Sequence, residues 1–438
     1  MVAPKVALIT STLCLCGAYT LAQTNERIYE QLDFRFVTPG ARAVGMGKAF
    51  VGLADDATAA ESNPAGLSNL FEPEVSFELS GTQYRHLRYT GGGRNPTAHV
   101  FESQVWVPAF VSYVQPIGDA TLSFYRQALQ KFRDEFRFEG REIPVAGRRL
   151  FEDGAYGKMD VGVVNYGAGL SYVFSQYLSL GGSFRITHVD LESRARSGFI
   201  EAQDLDKGTD TDDAATTWTG TVGILLKATP RVAVGATYHG PASVLLETTF
   251  DGRFAWYTGE YPDNFRNRTG ETDEVEYVLP SRFAVGASWR LVDEFVLVFD
   301  MQRVNYSERV TEKFLIVDFQ NPVDRLSRNN FYFDDVTELH GGLEYRWITR
   351  PTVIGLRLGF FTDPDHFLRF RPDGMNPDPE LFADEFLTFR FDRVRPGRDY
   401  GFTGGFGFTL FDRFQADFAL SRSDDVSEVV VSFVARLR

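Results

Sequence analysis

Apolar and polar residues alternate along most of the chain after residue 73. At 414–420, apolar side chains stand at every second position, and Gln415 and Asp417 lie between them. A period of two is typical of a β-strand with one apolar face and one polar face. The same period recurs at 178–187, 295–302, 400–410 and 429–437. The chain is therefore predicted to be all-β.

Fourteen segments carry this pattern and predict fourteen antiparallel strands. They lie at 74–88, 104–116, 119–133, 158–174, 177–193, 215–229, 231–250, 274–290, 294–309, 336–347, 353–362, 399–411, 413–422 and 427–437. Tight turns alternate with long polar connections, and the long ones lie at 89–103, 134–157, 194–214, 251–273, 310–335 and 363–398. An even strand number with short turns at one end and long loops at the other is typical of a transmembrane β-barrel. The predicted fold is a 14-stranded antiparallel barrel in the outer membrane of a Gram-negative-type bacterium.

The first residues predict a secretory signal peptide at 1–22. Lys5 precedes a moderately apolar core, and small residues lead to a cleavage site after Ala22. A buried first helix is the alternative. Both cysteines, Cys14 and Cys16, fall inside this segment, so the mature chain is expected to have none. A lipid anchor at Cys16 is disfavoured because Leu15, a bulky residue, precedes it.

Between the signal peptide and the first strand, residues 45–67 (GMGKAFVGLADDATAAESNPAGL) are small and show no strand alternation. Glycine and alanine let backbone approach a barrel wall closely. Asp55 and Asp56 precede four helix-compatible residues, and Asn63-Pro64 then turns the chain. We therefore expect residues 23–72 to form a short N-terminal plug, or hatch, containing a little helix, inside a barrel built from residues 73–438. In the simplest interpretation these residues only shape the plug.

Residues 40–68 resemble the plug signature of the FadL-like outer-membrane proteins, a superfamily of transporters for fatty acids and other hydrophobic compounds. They are also similar to the signature of PorV-like barrels, which are associated with type IX secretion. Residues 279–286 (LPSRFAVG) give a second, weaker trace. The matching plug residues are Gly45, Gly47, Ala49, Asp55, Asp56, Ala57, Asn63, Pro64, Ala65 and Gly66.

The resemblance implies passive uptake of long-chain fatty acids or other hydrophobic small molecules through a plugged barrel in outer-membrane lipid. The alternative is a PorV-like barrel whose partners are secreted or surface proteins. Two positions depart from the pattern. Glu61-Ser62 stands where these families usually have a bulky residue, and the chain ends on Leu437-Arg438 and not on an aromatic residue.

The third predicted strand has polar residues on both faces where it should cross the bilayer: Arg126, Gln127, Gln130 and Lys131. A lipid-facing Arg or Lys near the midplane costs about 2–4 kcal/mol. The resemblance suggests a kink that opens the wall sideways for hydrophobic cargo. The alternative is that the strand sits higher and these side chains project above the membrane.

Other chemistry has weaker support. The formal charge of −14 argues against a nucleic-acid partner. The acidic segment with Asp204, Asp206, Asp210 and Asp212 suits Ca²⁺ only weakly, because it lacks the closing Glu of an EF-hand, and a solvated outer loop is favoured. The six histidines lack metal spacing, and no catalytic motif occurs. We expect neither an enzyme nor a cofactor.

Overall fold

The computed structural model describes most of the chain from residue 25 to residue 437. The described residues are 25, 28–29, 32–90, 97–138, 141–145, 148–152, 154–198, 207–251, 253–257, 262–267, 269–314, 328–349, 351–371 and 399–437. Within these ranges, no helix has both the length and the apolar content to cross a membrane. The predicted signal peptide lies outside them.

The described residues form short helices near the N-terminus and strands along the rest of the chain. The helices are α1 (Ala41–Gly45), α2 (Ala59–Ser62) and 3-10 helices at Pro64–Asn69, Tyr306–Arg309 and Arg328–Asn330. The strands are β1 Glu74–Thr90, β2 Thr97–Ile117, β3 Ala120–Phe138, β4 Arg141–Val145, β5 Arg148–Glu152, β6 Gly154–Ser175, β7 Leu178–Gly198, β8 Lys207–Thr229, β9 Val232–His239, β10 Ala242–Asp251, β11 Arg253–Tyr257, β12 Pro262–Asn267, β13 Glu271–Leu279, β14 Arg282–Val292, β15 Phe295–Val304, β16 Phe331–Tyr332, β17 Val336–Thr349, β18 Thr352–Asp363, β19 Arg369–Phe370, β20 Asp399–Leu410, β21 Phe414–Arg422 and β22 Val426–Arg436.

Sixteen of these strands form one closed antiparallel sheet. β9 and β10 occupy one position in the wall, and so do β13 and β14, so the barrel has fourteen strands, as predicted. Both double strands break at a proline, at Gly240-Pro241 and at Pro280-Ser281. Proline lacks the N–H that a sheet ladder needs. The ring closes where β1 pairs with β22, from Glu74 opposite Arg436 to Tyr84 opposite Val426.

The alternating pattern places apolar side chains outside and polar ones inside. Phe402 is 72% exposed and Leu358 is 67% exposed on the outer face, whereas Asp417 and Thr187 are buried in the interior. An outer face of this kind matches lipid, and an interior of this kind matches a filled lumen. The predicted orientation of the strand faces is therefore confirmed at these positions, whereas wall residues such as Val161, Val189 and Leu246 are apolar and face the interior.

Several predicted boundaries are wrong. β2 begins at Thr97 and β8 at Lys207, so parts of two predicted loops are strand. Hairpins β4–β5 and β11–β12 lie in two other predicted loops. The predicted strand 294–309 ends at Val304, and a 3-10 helix follows. A sheet can continue beyond the bilayer with polar residues on both faces, so loss of alternation does not mark its end.

Two groups of residues occupy the lumen. The plug residues 41–69 pack against the wall at the end with the short turns. Towards the other end lies an apolar cluster that combines wall residues with Tyr29 and Phe34 of the N-terminal segment and Phe314 and Phe333 of the segment after β15. We call this cluster the outer core.

Candidate plug and lateral opening

The first part of the plug lies directly on the barrel wall. Gly47 has φ 69°, and a Cβ there would lie 2.3 Å from the carbonyl oxygen of Gly341. Its N–H donates to Thr403 Oγ1 at 2.9 Å, and Thr403 donates in turn to the Gly45 carbonyl at 3.0 Å. Only glycine combines this backbone angle with this separation. The small residues therefore permit direct backbone contact between plug and wall.

The next segment of the plug is held from two sides. Asp300 of β15 accepts the backbone N–H groups of Phe50 and Val51 at 2.5 and 2.8 Å. The Asn63 amide donates to the carbonyls of Val51 and Ile224 at 2.9 and 3.1 Å. Asn63 thus connects two parts of the plug to the wall. These bonds satisfy backbone groups that the fold withdraws from water.

A chain of buried charges joins α1 to the wall. Arg42 contacts Glu344 at 2.8 Å and Asp55 at 2.5 Å. Glu344 also accepts from Arg357 Nε at 2.8 Å, and Arg357 Nη1 donates to Asp417 at 2.6 Å. Charges withdrawn from water need such partners. The arrangement fixes the plug to strands β17, β18 and β21.

A second ionic cluster surrounds Glu61 of α2. The carboxylate accepts two contacts of 2.8 Å from Arg185 Nη1, and Arg282 lies 3.4 Å away. The Tyr125 hydroxyl donates to it at 3.1 Å, and His239 lies at 3.7 Å. Glu61 therefore joins α2 to strands β3, β7, β9 and β14. It occupies one of the positions where the sequence departs from the family pattern.

The other predicted plug residues have different neighbours: Ala49 packs in a cluster with Val298, Ala57 packs in another with Phe110, and Gly66 lies against Ala54 of the plug itself. Ala49 and Ala57 are buried. A Cβ on wall residue Gly181 would lie 2.3 Å from the Ala65 nitrogen. Asp56 accepts from the Thr58 N–H at 2.9 Å, and burial raises the pKa of Asp56. Helix α2 begins at Ala59, and the 3-10 helix begins at Pro64 after an extended Asn63.

The four polar residues predicted on β3 lie where this strand separates from β2. Ladder pairs between the two strands run from Ile117–Ala120 to Phe110–Gln127. No ladder pair joins the described residues of β2 before Phe110 to those of β3 beyond Gln127, although β3 stays paired with β6. The register on the β6 side shifts between Ala128 and Gln130, which marks a bulge.

The side chains around this separation face different ways. Gln130 is buried and accepts from the Tyr277 hydroxyl at 2.6 Å. The Gln127 amide, oriented so that its nitrogen donates, lies 3.3 Å from Glu61. Lys131 pairs with Asp160, and Arg126 donates to the Pro108 carbonyl. The two glutamines therefore face the lumen, and the two cations bond to the wall itself.

The N-terminal segment covers the separation from inside. The Val37 N–H donates to the carbonyl of Leu129, the bulged residue, at 2.9 Å. A cavity of about 110 Å³ lies between this segment and the plug. Its lining combines aromatic rings with charged groups, among them Phe36, Phe50, Gln127, Arg282, Asp300 and His340.

The predicted calcium ligands are not in one described loop. Asp204 and Asp206 lie outside the described residues. Asp210 and Asp212 lie in β8, opposite Arg194 and Glu192 of β7, so the prediction of a loop there is wrong. Among the described residues, no group of three or more His, Cys, Asp or Glu side chains is arranged to hold a metal ion. Calcium binding by all four residues stays a prediction.

Sequence reasoning missed most of the charges that hold the plug. Arg185, Glu344 and Asp300 lie on the polar faces of predicted strands. The sequence signal for each of them is a charged residue at a lumen-facing position within the membrane-spanning part of a strand. Ser, Thr or Gly would be sufficient to make such a position polar or small. The alternating pattern shows that these side chains face the lumen, but it does not show which residue each of them contacts there.

Comparison with known proteins identifies the family. The sequence profile of the family described as outer membrane protein transport protein (OMPP1/FadL/TodX) matches residues 36–353. The chain belongs to this family. The matched region includes the plug, the Glu61 cluster, the pairing of Arg42 with Glu344, and the separation of β2 from β3. Arg357 and Asp417 lie beyond it. No protein with a curated description matches the chain.

Solved structures share the fold. A FadL homologue of Pseudomonas aeruginosa is 14% identical, with a TM-score of 0.64, over 91% of this chain and 98% of that one. The Ralstonia pickettii toluene transporter TbuX is 14% identical, with a TM-score of 0.56, over 91% and 98%. The CymD monoaromatic hydrocarbon channel is 15% identical, with a TM-score of 0.57, over 92% and 99%.

These findings confirm the predicted FadL-like resemblance and the location in the outer membrane. The PorV-like alternative receives no support. Family and structural neighbours are transport channels and not enzymes. The protein is a transport barrel of the outer membrane.

Proposed function

We propose that the barrel takes up hydrophobic small molecules passively, and that they leave the lumen sideways through the separation between β2 and β3. The plug closes the direct path to the periplasm. The observation that carries this proposal is the end of the β2–β3 ladder at Phe110–Gln127. The names of TbuX, a toluene transporter, and CymD, a monoaromatic hydrocarbon channel, support the same class of cargo.

A sideways route suits apolar cargo because the molecule never enters water. Backbone groups without partners are costly in lipid, so an interrupted ladder in a barrel wall needs a reason. Here the interruption connects the outer core to the outside of the wall, since Leu129 and Phe132 of β3 belong to that core. Val37 then acts as a cover that must move before cargo passes.

The plug supports the proposal because it lies inside the barrel and is bonded to several sides of the wall. Asp300, Asn63 and Glu61 connect it to different sides of the wall. Its many buried anchors favour a plug that stays in place while the N-terminal segment moves. Deletion of residues 45–67 should therefore create an unselective pore and abolish selective uptake.

A disulfide across the separation tests the proposal. The Ser103 hydroxyl donates to the Arg133 carbonyl, so these positions are neighbours above the last ladder pair. We expect Ser103→Cys/Arg133→Cys, when oxidised, to lower the uptake of a labelled alkane by liposomes about tenfold or more, and reduction to restore it. The predicted absence of other cysteines in the mature chain makes the pair selective.

The matched control is Tyr113→Cys/Phe124→Cys, which face each other within the intact ladder. This disulfide should leave uptake unchanged. Replacement of Arg126 and Lys131 by Leu should block uptake, because lipid would then seal against the wall. Undiminished uptake through the oxidised Ser103→Cys/Arg133→Cys barrel would refute the sideways route.

A further inference from the structure

Three cations line a recess at the end of the barrel that carries the short turns. Lys227 lies near the end of β8, Arg231 in the turn before β9 and Arg290 near the end of β14. Barrels of this class place their short turns in the periplasm. The recess has a volume of about 570 Å³, and plug residues Leu53 and Asn69 line it from inside the barrel. We call the three cations the rim cluster.

The rim cluster faces the lumen and not the surrounding lipid. Leu226 and Trp289, which directly precede or follow cluster residues on β8 and β14, are 44% and 52% exposed on the outer face. Successive side chains on a strand point to opposite faces. Lys227 and Arg290 therefore point inward, where they line the recess together. Lipid headgroups surround the outer face of the wall, so anchoring in the membrane does not account for the cluster.

The rim cluster has no anion of its own. Within the described ranges, none of the three cations forms an ion pair, and Arg231 donates only to a backbone carbonyl at 3.4 Å. Asp55 also lines the recess, but it is paired with Arg42 at 2.5 Å. Asp293 and Glu294 of the next turn are exposed and do not line the recess. The recess is therefore a cationic site in a chain whose net charge is −14.

An exposed aromatic ring lies in the same recess. Phe71 connects the plug to β1 and is 84% exposed, more than any other large apolar side chain in the described part of the chain. Aromatic and arginine side chains are enriched where proteins bind other proteins, and clustered arginines suit acidic segments. The cluster is spread over adjacent strands β8, β9 and β14. It therefore spans about 10 Å, which is wider than one carboxylate needs.

We propose that the recess docks a soluble periplasmic protein through an acidic segment, whose carboxylates contact the rim cluster and whose apolar residue contacts Phe71. The width of the cluster favours several carboxylates of one segment over a single small anion. The docked protein lies beside the plug at β8, β9 and β14, away from β2 and β3. This inference goes beyond the proposed uptake function and does not depend on it.

Two matched peptides test the charge of the site. The purified full-length barrel in phosphatidylcholine nanodiscs is titrated with a dye-labelled peptide of four aspartates around one tryptophan, and with the same peptide carrying four asparagines. In about 50 mM salt, wild type should bind the aspartate peptide about tenfold more tightly, because several exposed ion pairs add up. Salt of about 500 mM should remove most of this preference. Arg231→Gln/Arg290→Gln should bring the two affinities within about threefold of each other.

The matched control is Arg85→Gln/Arg422→Gln. It also removes two exposed arginines, but at the opposite end of the barrel. These residues form no ion pair in the described part of the chain. The control should keep the full preference for the aspartate peptide, and a loss equal to that of Arg231→Gln/Arg290→Gln would overturn the inference.

Cross-linking locates the bound peptide. A water-soluble carbodiimide joins a carboxylate to a primary amine as an amide and takes up the released water as a urea. The aspartate peptide should become linked to Lys227, as mass spectrometry of the digested barrel would show. Lys227→Arg keeps the charge, so it should keep the binding and lose the cross-link. Coupling only at lysines of the other end, such as Lys131 and Lys158, would overturn the assignment.

Lipid headgroups are the alternative occupant of a cationic site. Native mass spectrometry of the barrel titrated with phosphatidylglycerol should show equal lipid retention in wild type and Arg231→Gln/Arg290→Gln. Loss of retained lipid in the variant, or equal affinity of wild type for the two peptides, overturns the inference. The wild-type titration needs no substitution, so misfolding of a variant does not decide it. Alkane uptake by the variant should match wild type, which separates this inference from the proposed function.

Discussion

Removal of the Glu61 carboxylate should release the plug from one side of the barrel. Glu61 and Arg185 are each 3% exposed at the side chain, and their contacts are 2.8 Å long. Breaking a buried pair by removing one partner costs about 3–5 kcal/mol, because the remaining charge stays buried without compensation. For Glu61→Gln, the equilibrium between detached and docked plug should therefore shift by a factor of about 150 or more.

Thiol labelling measures this shift. Ser68 is buried in the 3-10 helix Pro64–Asn69, so Ser68→Cys reacts with a maleimide only when the plug opens. When reclosing is fast, the labelling rate follows the open population. We expect Glu61→Gln to raise the rate about 100-fold or more in the purified barrel.

Two further variants test whether the unpaired buried charge causes the change in labelling rate. Glu61→Gln/Arg185→Met removes the most closely paired charges and should recover part of the protection, since Arg185 is then no longer buried without a partner, although Arg282 remains in the cluster. Arg303→Gln breaks a pair with Asp335 that is 47% and 26% exposed, and should change the rate by less than about fivefold. Equal labelling rates in wild type and Glu61→Gln would refute the role of this cluster in holding the plug.

The same labelling assay checks three other predictions. Gly47→Ala should raise the rate more than tenfold because its Cβ meets wall backbone, whereas Gly118→Ala has a similar φ of 61° with nothing within 4 Å and should not. Asp300→Asn should weaken the two hydrogen bonds that this side chain accepts from plug backbone N–H groups, and should lower the free energy of plug docking by about 1–3 kcal/mol. An unchanged labelling rate would contradict this. Burial raises the pKa of Asp56, so the contribution of this group to docking is present at acidic pH and is lost as pH rises through that pKa. Asp56→Asn should remove this contribution to the pH dependence.

The barrel could be predicted from sequence because lipid favours an apolar side chain at every second residue of a membrane-spanning strand. Phe402 and Leu358 must face outward, and the alternation around them fixes the strand and its orientation. Above the bilayer this rule no longer applies, and there the extension of β8 to Lys207 and hairpin β4–β5 were missed. The breaks at Pro241 and Pro280 were missed because alternation continues through them.

The small residues that pack against the wall are visible in the sequence, but the residues that anchor them are not. Glu61 meets Arg185 over 124 positions of sequence. Such partners depend on which inward faces oppose each other across the lumen. Arg309 shows the same limit, since it fell in a predicted strand and lies in a 3-10 helix beside rings from the N-terminal segment. The position of the β2–β3 separation is the exception, because polar residues on both faces of β3 coincide with it.

The seam between β1 and β22 constrains the order in which the molecule is made. β1 follows the plug after a few residues, and its partner β22 is the last strand among the described residues. Arg436 contacts Glu74 at 2.8 Å beside the seam, so the two ends of the barrel sequence meet there. A plug this firmly attached to the inner wall could not be threaded through a finished ring. The N-terminal residues must already lie within the curving sheet when the C-terminal strand arrives, and membrane insertion and plug docking then become a single event.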